Sequence, residues 1–178
     1  MRLGIHTGTF ERSAIGESLH AALHHGLQYV HLSLKSPGKP FDSLDPLLAA
    51  QSARVLVETG LRVASLSGTF NMAHPDPSVR RRGLAYLAEL APLAEHFRAP
   101  FISLCTGTRN LDSMWRGHPE NQSPEAWHAF TDTLEKALDI AQRYQVVLGV
   151  EPEPANVIDS APKARRLLPM PPTEMPPK

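Results

Sequence analysis

The sequence predicts an α/β fold that forms part of a (β/α)8 barrel. Five short apolar runs rich in β-branched residues alternate with segments of helical periodicity, the pattern of a parallel sheet with right-handed crossovers. Gly-Thr pairs follow three of these runs, and no glycine-rich phosphate fingerprint follows the first. A glycine at several strand exits favours a barrel around a shared ligand over an open doubly wound sheet, although Gly-Thr is also common turn chemistry.

The five predicted strands and the helices between them occur in a regular order. In chain order, the strands are residues 3–6, 29–34, 61–66, 101–105 and 146–150. Three helices are predicted to begin where a capping side chain precedes a proline that fits the first turn, at Asp45-Pro46, Asp76-Pro77 and Ser123-Pro124. Glycines 26 and 60 are expected to end the first two helices. A kink is predicted at Pro92, and a last helix near Ser160.

Composition limits the classes of function. The chain has 178 residues with 18 basic and 18 acidic side chains, so no basic face indicates nucleic-acid binding. Its single cysteine cannot form an internal disulfide, which favours a cytoplasmic location, and we expect no signal peptide and no membrane span. Residues 1–168 are predicted to form one domain. Residues 169–178 contain five of the 17 prolines and are predicted to be a disordered tail.

The strongest candidate for a functional residue is Glu151. An uncharged run, residues 146–150, ends directly at this carboxylate. In α/β folds ligands bind at that end of the strands, and a carboxylate there needs a metal, a cation or hydrogen-bond donors. We therefore predict that Glu151 is a metal ligand with a catalytic role; the alternative is a carboxylate that caps the next element or pairs with an arginine. Glu153 is predicted to be structural or solvated.

Other strand exits supply further candidates. His6 ends the first strand and is a catalytic candidate, although a lone histidine is more often a core or rim residue. Five residues are predicted to bind substrate: Asn71, His74, Thr106, Arg109 and Trp115. An arginine can grip a phosphate or carboxylate and an aromatic ring can stack on a sugar, but both are also common on surfaces and in loop anchors. His31 and Cys105 are predicted to be packing residues.

Together these exits resemble the xylose-isomerase-like barrel superfamily, and more closely its sugar phosphate isomerases/epimerases. The resemblance covers about residues 2–168 and is carried by Ser67–Asp76 with Arg80, by Thr106-Gly107-Thr108 and by Leu148–Glu151. It implies a metal-assisted proton or hydride shift next to the carbonyl of a small sugar or sugar phosphate. It also implies a divalent cofactor, Mn²⁺ or Mg²⁺ with Zn²⁺ or Co²⁺ as further options, held first by Glu151.

The sequence departs from that family in length. A full barrel has eight strands and typically ~250 residues, whereas five units are predicted here. The family's remaining metal ligands, an Asp, a His and a Glu from strands six to eight, have no counterpart. We therefore expect a C-terminally truncated barrel with weak or no activity alone, able to self-associate through open sheet edges. Two alternatives remain open: a non-catalytic fragment, and a metal-dependent endonuclease of the same superfamily.

Overall fold

A computed structural model describes residues 3–10, 12, 14–35 and 44–168. It contains one parallel five-stranded sheet in the order β1-β2-β3-β4-β5, so each strand pairs with its neighbour in sequence. The strands are β1 (Gly4–His6), β2 (Tyr29–Leu32), β3 (Arg62–Ser67), β4 (Ile102–Cys105) and β5 (Leu148–Glu151). The predicted parallel α/β fold, consistent with a partial barrel, is confirmed. The predicted tail and most of the loop after β2 lie outside the described residues.

Within the described residues, six α-helices separate or follow the strands. They are α1 (Ile15–His24), α2 (Pro46–Thr59), α3 (Pro77–Leu90), α4 (Leu93–His96), α5 (Pro124–Tyr144) and α6 (Ala161–Arg165). The three predicted caps are present, because the side chains of Asp45, Asp76 and Ser123 each accept backbone N–H groups of the first turn. Gly60 ends α2 with φ 70°. No helix in the part of the chain that the structure describes could cross a membrane.

Pro92 divides the predicted third helix in two. Helix α3 ends at Leu90, and the single turn α4 begins at Leu93. Proline lacks the N–H that a continuous helix would require, so the expected kink becomes a break.

Alternation along the strands gives the sheet two different faces. Residues paired across a parallel sheet share a face, and successive residues face opposite sides. One face carries Leu32, Leu66, Ile102 and Leu148 in register, followed by Leu104 beside Val150. The other carries His6 beside His31, then Ser67, Ser103, Cys105 and Glu151. We call these the apolar face and the polar face.

The apolar face packs against the helices and forms the core. At Gly68, an added Cβ would lie 2.4 Å from Ile102 Cγ2 and 3.4 Å from Leu87 Cδ1 of α3. At Gly83 of α3 an added Cβ would lie 2.0 Å from Phe70 Cδ2, so only glycine lets this helix approach the ring of Phe70. Tyr86 donates its buried hydroxyl to the carbonyl of Ser67, 2.9 Å away. The helices thus fix the ends of β3 and β4, where the candidate site lies.

Candidate functional site

The carboxyl end of the polar face holds a connected set of polar side chains. The rings of His6 and His31 meet edge to face with centroids 4.8 Å apart, and His31 Nε2 lies 2.9 Å from Ser103 Oγ. A register shift between β2 and β3 at residues Val30 and His31 pairs His31 with Ser65. Strands β1, β2 and β4 therefore each contribute one side chain to this series of contacts, through His6, His31 and Ser103. Burial and then the charge on His6 lower the pKa of His31 to about 4, so its imidazole is neutral at pH 7.

Three possible metal ligands meet beside this series of contacts. Cys105 and Glu151 are paired across β4 and β5, and Glu153 follows two residues later. One ligand atom from each of Cys105, Glu151 and Glu153 lies within 4.8 Å of the others. Cys105 is buried, Glu153 is half-buried and Glu151 is exposed. The predicted ligand Glu151 therefore lies among other donor groups at the strand ends, and we call these three residues the donor cluster.

Burial and neighbouring charges raise the pKa values of two members of the donor cluster, Cys105 and Glu153. Burial raises the pKa of the Cys105 thiol to about 11, with the hydroxyl of Thr69 opposing this and the two carboxylates adding to it. Thr69 Oγ1 donates to Cys105 Sγ at 3.7 Å. Burial first, and then the charge on Glu151, raise the pKa of Glu153. A cation placed between these groups would relieve the repulsion between the two carboxylates.

His6 lies within electrostatic reach of the donor cluster. Burial lowers the pKa of His6, the carboxylate of Glu151 raises it, and the cation of Lys35 lowers it. The two catalytic candidates predicted from the sequence, His6 and Glu151, thus share one region. Lys35 joins them from the exit of β2: its Nζ donates to the carbonyl of Thr69 and lies 4.6 Å from the centroid of the Tyr86 ring.

Asn71 braces the exits of β3 and β4. Its side-chain nitrogen donates to the Thr108 carbonyl at 3.0 Å, and its oxygen accepts the N–H groups of Thr108 and Ala73 at 2.9 and 3.3 Å. Gly107, the residue before Thr108, has φ 82°, and an added Cβ there would lie 2.2 Å from Asn71 Oδ1. Asn71 is only 8% exposed. Its polar atoms are therefore already satisfied by backbone.

Two further buried asparagines, Asn121 and Asn156, connect the loop after β4 to the loop after β5. Asn156 accepts the N–H of Gly107 at 2.7 Å and donates to the carbonyl of Met114 at 3.1 Å. Asn121 accepts the N–H of Arg109 at 2.7 Å and donates to the carbonyl of Ala155 at 2.9 Å. The predicted substrate-binding Thr106 is fully buried here, where its hydroxyl accepts the N–H of Ile158 at 3.1 Å. We call Asn71, Asn121 and Asn156 the amide bracket.

His74 lies in the exit loop of β3 and is distant in sequence from the residues of the donor cluster. Its Nδ1 accepts the N–H of Asp76 at 3.0 Å, and Arg80 donates to its carbonyl. Burial is the main cause that lowers the pKa of His74. Together with Asn71, Asn110 and neighbouring side chains it lines a cavity of about 330 Å³. Two of the predicted substrate-binding residues thus share one cavity.

Arg109 and Trp115 lie in the long loop after β4. Arg109 Nη1 donates to the carbonyl of Ala73 at 3.3 Å, and its Nε lies 3.6 Å from Glu120 Oε2. That separation makes an ion pair and is too long for a hydrogen bond, so the buried Nε has no hydrogen-bond partner among the described residues. The side chain of Trp115 is 46% exposed. A second, larger cavity of about 930 Å³ lies at the amino ends of β2 and β3, and none of the predicted site residues lines it.

Sequence reasoning missed several polar residues of this region. His31, Cys105 and Glu153 were assigned to packing or solvent, and Ser103 was not singled out. The signal was present in β4, where Ser103 and Cys105 alternate with Ile102 and Leu104. A buried strand that alternates small polar and large apolar residues indicates that its polar side faces something other than core.

Fold and site together define a class: a parallel βα array whose polar side chains converge at the carboxyl ends of the strands, as in (β/α)8 enzymes. The model of the family described as Xylose isomerase-like TIM barrel matches residues 19–170. The chain therefore belongs to the Xylose isomerase-like TIM barrel family. The resemblance inferred from the strand exits is thereby confirmed. Comparison of the sequence with curated proteins gives no significant match.

Solved structures share the fold at low identity. The apo 3-keto-D-glucoside 4-epimerase from E. coli is 18% identical with a TM-score of 0.68, over 93% of this chain and 62% of that one. A Xylose isomerase-like TIM barrel protein from Mycobacterium smegmatis, in complex with magnesium, is 16% identical with a TM-score of 0.67, over 93% and 59%. The IOLI protein with a bound zinc atom is 15% identical with a TM-score of 0.64, over 94% and 58%. The chain thus spans about three fifths of these proteins.

Proposed function

We propose that this chain contributes the first five strands of a sugar or sugar-phosphate isomerase/epimerase that depends on a divalent metal. The observation that supports the proposal most is the donor cluster, in which Glu151 lies at the strand end with two further ligand atoms within 4.8 Å. The named epimerase among the structural neighbours and the magnesium and zinc in two others support the same class.

The donor cluster fits a divalent cation chemically. Carboxylates suit Mg²⁺ and Mn²⁺, and a cysteine sulfur beside them adds affinity for Zn²⁺. Burial raises the pKa of the Cys105 thiol to about 11, so this thiol would have to lose its proton before its sulfur could hold a metal. When bound, such a cation polarises the carbonyl and hydroxyl oxygens of a sugar. Which metal is used is part of the proposal, with Mn²⁺ and Zn²⁺ favoured by this donor set.

The chain's own residues would bind and orient the sugar around that position. We propose His6 as a contact to a substrate oxygen, Arg109 and His74 as polar contacts from the exit loops, and Trp115 as a ring that stacks on the sugar. For Asn71 and Thr106 we propose that they act by holding these loops, because their polar atoms bind backbone. A reducing, cytoplasmic location is part of the same proposal and is supported by the buried free thiol of Cys105.

Turnover by the 178 residues alone is expected to be weak or absent. Both β1 and β5 have only one paired neighbour in the described sheet, so the polar face is open on two sides. An open site admits water and leaves the metal ligands incomplete. Association of two copies through these edges is a further expectation, which the oligomeric state in solution tests.

The proposal is tested by epimerase and isomerase assays on a panel of ketoses with Mn²⁺. The assays use this chain beside a full-length relative as the positive control. In the relative, replacing the glutamate equivalent to Glu151 by Gln is expected to reduce kcat/KM at least about a hundredfold. Unchanged activity in that variant contradicts the role of Glu151. Cleavage of abasic DNA in place of sugar turnover supports the endonuclease alternative. If the relative shows neither activity, the proposed class of enzyme is wrong.

A further inference from the structure

We infer that His6 acts as a hydrogen-bond donor through its Nε2–H, not as a base, and that His31 is the residue that positions its ring. The donor role towards a substrate oxygen rests on the proposed function. The state of the ring itself does not, because it follows from contacts within the chain.

The first contact is local and fixes the tautomer. Strand β1 ends at His6 and the chain turns at once into a 3₁₀ turn, Thr7–Thr9. This turn carries the backbone N–H of Gly8 back to His6 Nδ1, 3.1 Å away. A backbone amide nitrogen can only donate, so Nδ1 must present its lone pair. The proton of the neutral imidazole is therefore on Nε2.

Gly8 makes this contact possible. A Cβ at this position would lie 2.8 Å from His6 Cε1 and 3.0 Å from His6 Nδ1. The first distance is shorter than ordinary Cβ contacts and the second is tight, so the ring of His6 would have to move to accept a side chain at Gly8. The Gly-Thr pair at this exit therefore brings its backbone close to a histidine.

The second contact holds the ring of His6 from the adjacent strand, β2. His31 is paired with His6 across β1 and β2, and the two rings meet at 81° with centroids 4.8 Å apart. His31 is itself fixed by Ser103, whose Oγ lies 2.9 Å from Nε2 of His31. Because His31 is half-buried and neutral, it can hold the ring of His6 without adding charge.

The remaining nitrogen of His6 is left for a ligand. In the described part of the chain, Nε2 of His6 has no hydrogen-bond partner, and the half-buried ring lies near Glu151 and Lys35. A neutral N–H fixed in orientation stabilises negative charge on an oxygen as that charge develops, with no proton transferred. If His6 takes that part in the proposed reaction, the proton acceptor must be another group.

Nitrogen NMR of the full 178-residue chain labelled with ¹⁵N-histidine tests this. Long-range ¹H–¹⁵N correlations report which ring nitrogen carries the proton, and the His6→Gln variant assigns the signals. The expected result at pH 7.5 is a neutral His6 with its proton on Nε2. A proton on Nδ1, or an imidazolium, overturns the inference.

Matched variants separate the two contacts. Gly8→Ala is expected to lose the single tautomer, whereas Gly16→Ala leaves it unchanged, because a Cβ at Gly16 meets only Val55 Cγ2 at 3.5 Å. His31→Ala is expected to mix the tautomers of His6, and His31→Phe to restore the single form by keeping a ring in contact. If His31→Ala leaves the spectrum of His6 unchanged, His31 has no positioning role. These spectra need neither metal nor substrate, so they fail or succeed independently of the proposed activity.

Discussion

The two faces of the sheet are made from alternate residues of the same strands, yet they are organised differently. In β4, Ile102 and Leu104 fill space against the helices, whereas Ser103 and Cys105 each contact a specific polar partner. On the apolar face the requirement is volume, which several residue types can meet. On the polar face it is the position of individual atoms. A buried serine and thiol add little to folding, so we propose that this face serves ligand binding.

The largest difference between the faces is expected at two adjacent residues of β4. Leu104→Ala removes a fully buried side chain from the apolar face and should lower the free energy of unfolding by about 2–5 kcal/mol. Ser103→Ala leaves His31 without its partner and should cost only about 1 kcal/mol. Chemical denaturation of both variants measures the difference. Equal losses would mean that the polar face carries as much of the stability as the core.

A smaller difference is expected within the site, between the amide bracket and an open turn. Gly107 and Gly60 both have positive φ, 82° and 70°, so alanine is strained at either position. A Cβ at Gly60 meets nothing within 4 Å, whereas at Gly107 it meets Asn71 Oδ1. Gly60→Ala should therefore cost about 1 kcal/mol and Gly107→Ala about 1–3 kcal/mol more. Thermal unfolding of the two variants measures this difference. Similar melting temperatures would show that Asn71 and its neighbours move to accept a Cβ at Gly107 at little cost.

The smallest expected effect is a pH dependence that His31 gives to the polar face. Its pKa is about 4 in the folded chain against 6.5 when unfolded, so the unfolded chain binds the proton more readily. Its contribution to stability is therefore fully present above pH 6.5 and is lost as the pH falls towards 4. After allowance for screening at a partly exposed ring, the loss is about 1–2 kcal/mol.

Denaturation between pH 7.5 and 4 measures the contribution of His31 to stability as the difference between the wild-type chain and His31→Gln. The variant should lose stability less steeply over that range. His128→Gln, on the exposed surface of α5, is the matched control and should keep the slope of the wild type. A slope that His31→Gln leaves unchanged would show that His31 is not held neutral by its surroundings.

The sequence predicted the apolar face better than the polar one, for a physical reason. Apolar periodicity and capping residues act locally, so the starts of α2, α3 and α5 were predicted at the observed residues. Strand ends differed by up to two residues, because pairing with neighbours decides them. Glu151 was found since an uncharged run ends there. Whether it serves as a ligand stays a prediction.

The parts that could not be predicted depend on contacts between distant segments. His31 on β2 meets Ser103 on β4, 72 positions away in sequence, and the pairing of β2 with β3 shifts register at His31; no local pattern encodes either feature. The amide bracket joins residues that lie 34 to 49 positions apart. An asparagine in a loop looks the same in sequence whether it binds a ligand or a backbone, so Asn71 could be placed at the site but not given its partners.

We propose above all that the donor cluster at the carboxyl end of the polar face holds a divalent cation. Isothermal titration of the 178-residue chain with Mn²⁺ and with Zn²⁺ tests it most directly, with Glu151→Gln beside the control Glu135→Gln on the exposed surface of α5. We expect Glu151→Gln to weaken binding at least about tenfold and the control to leave it unchanged. Equal affinities in both variants, or no binding by the wild-type chain, would contradict it.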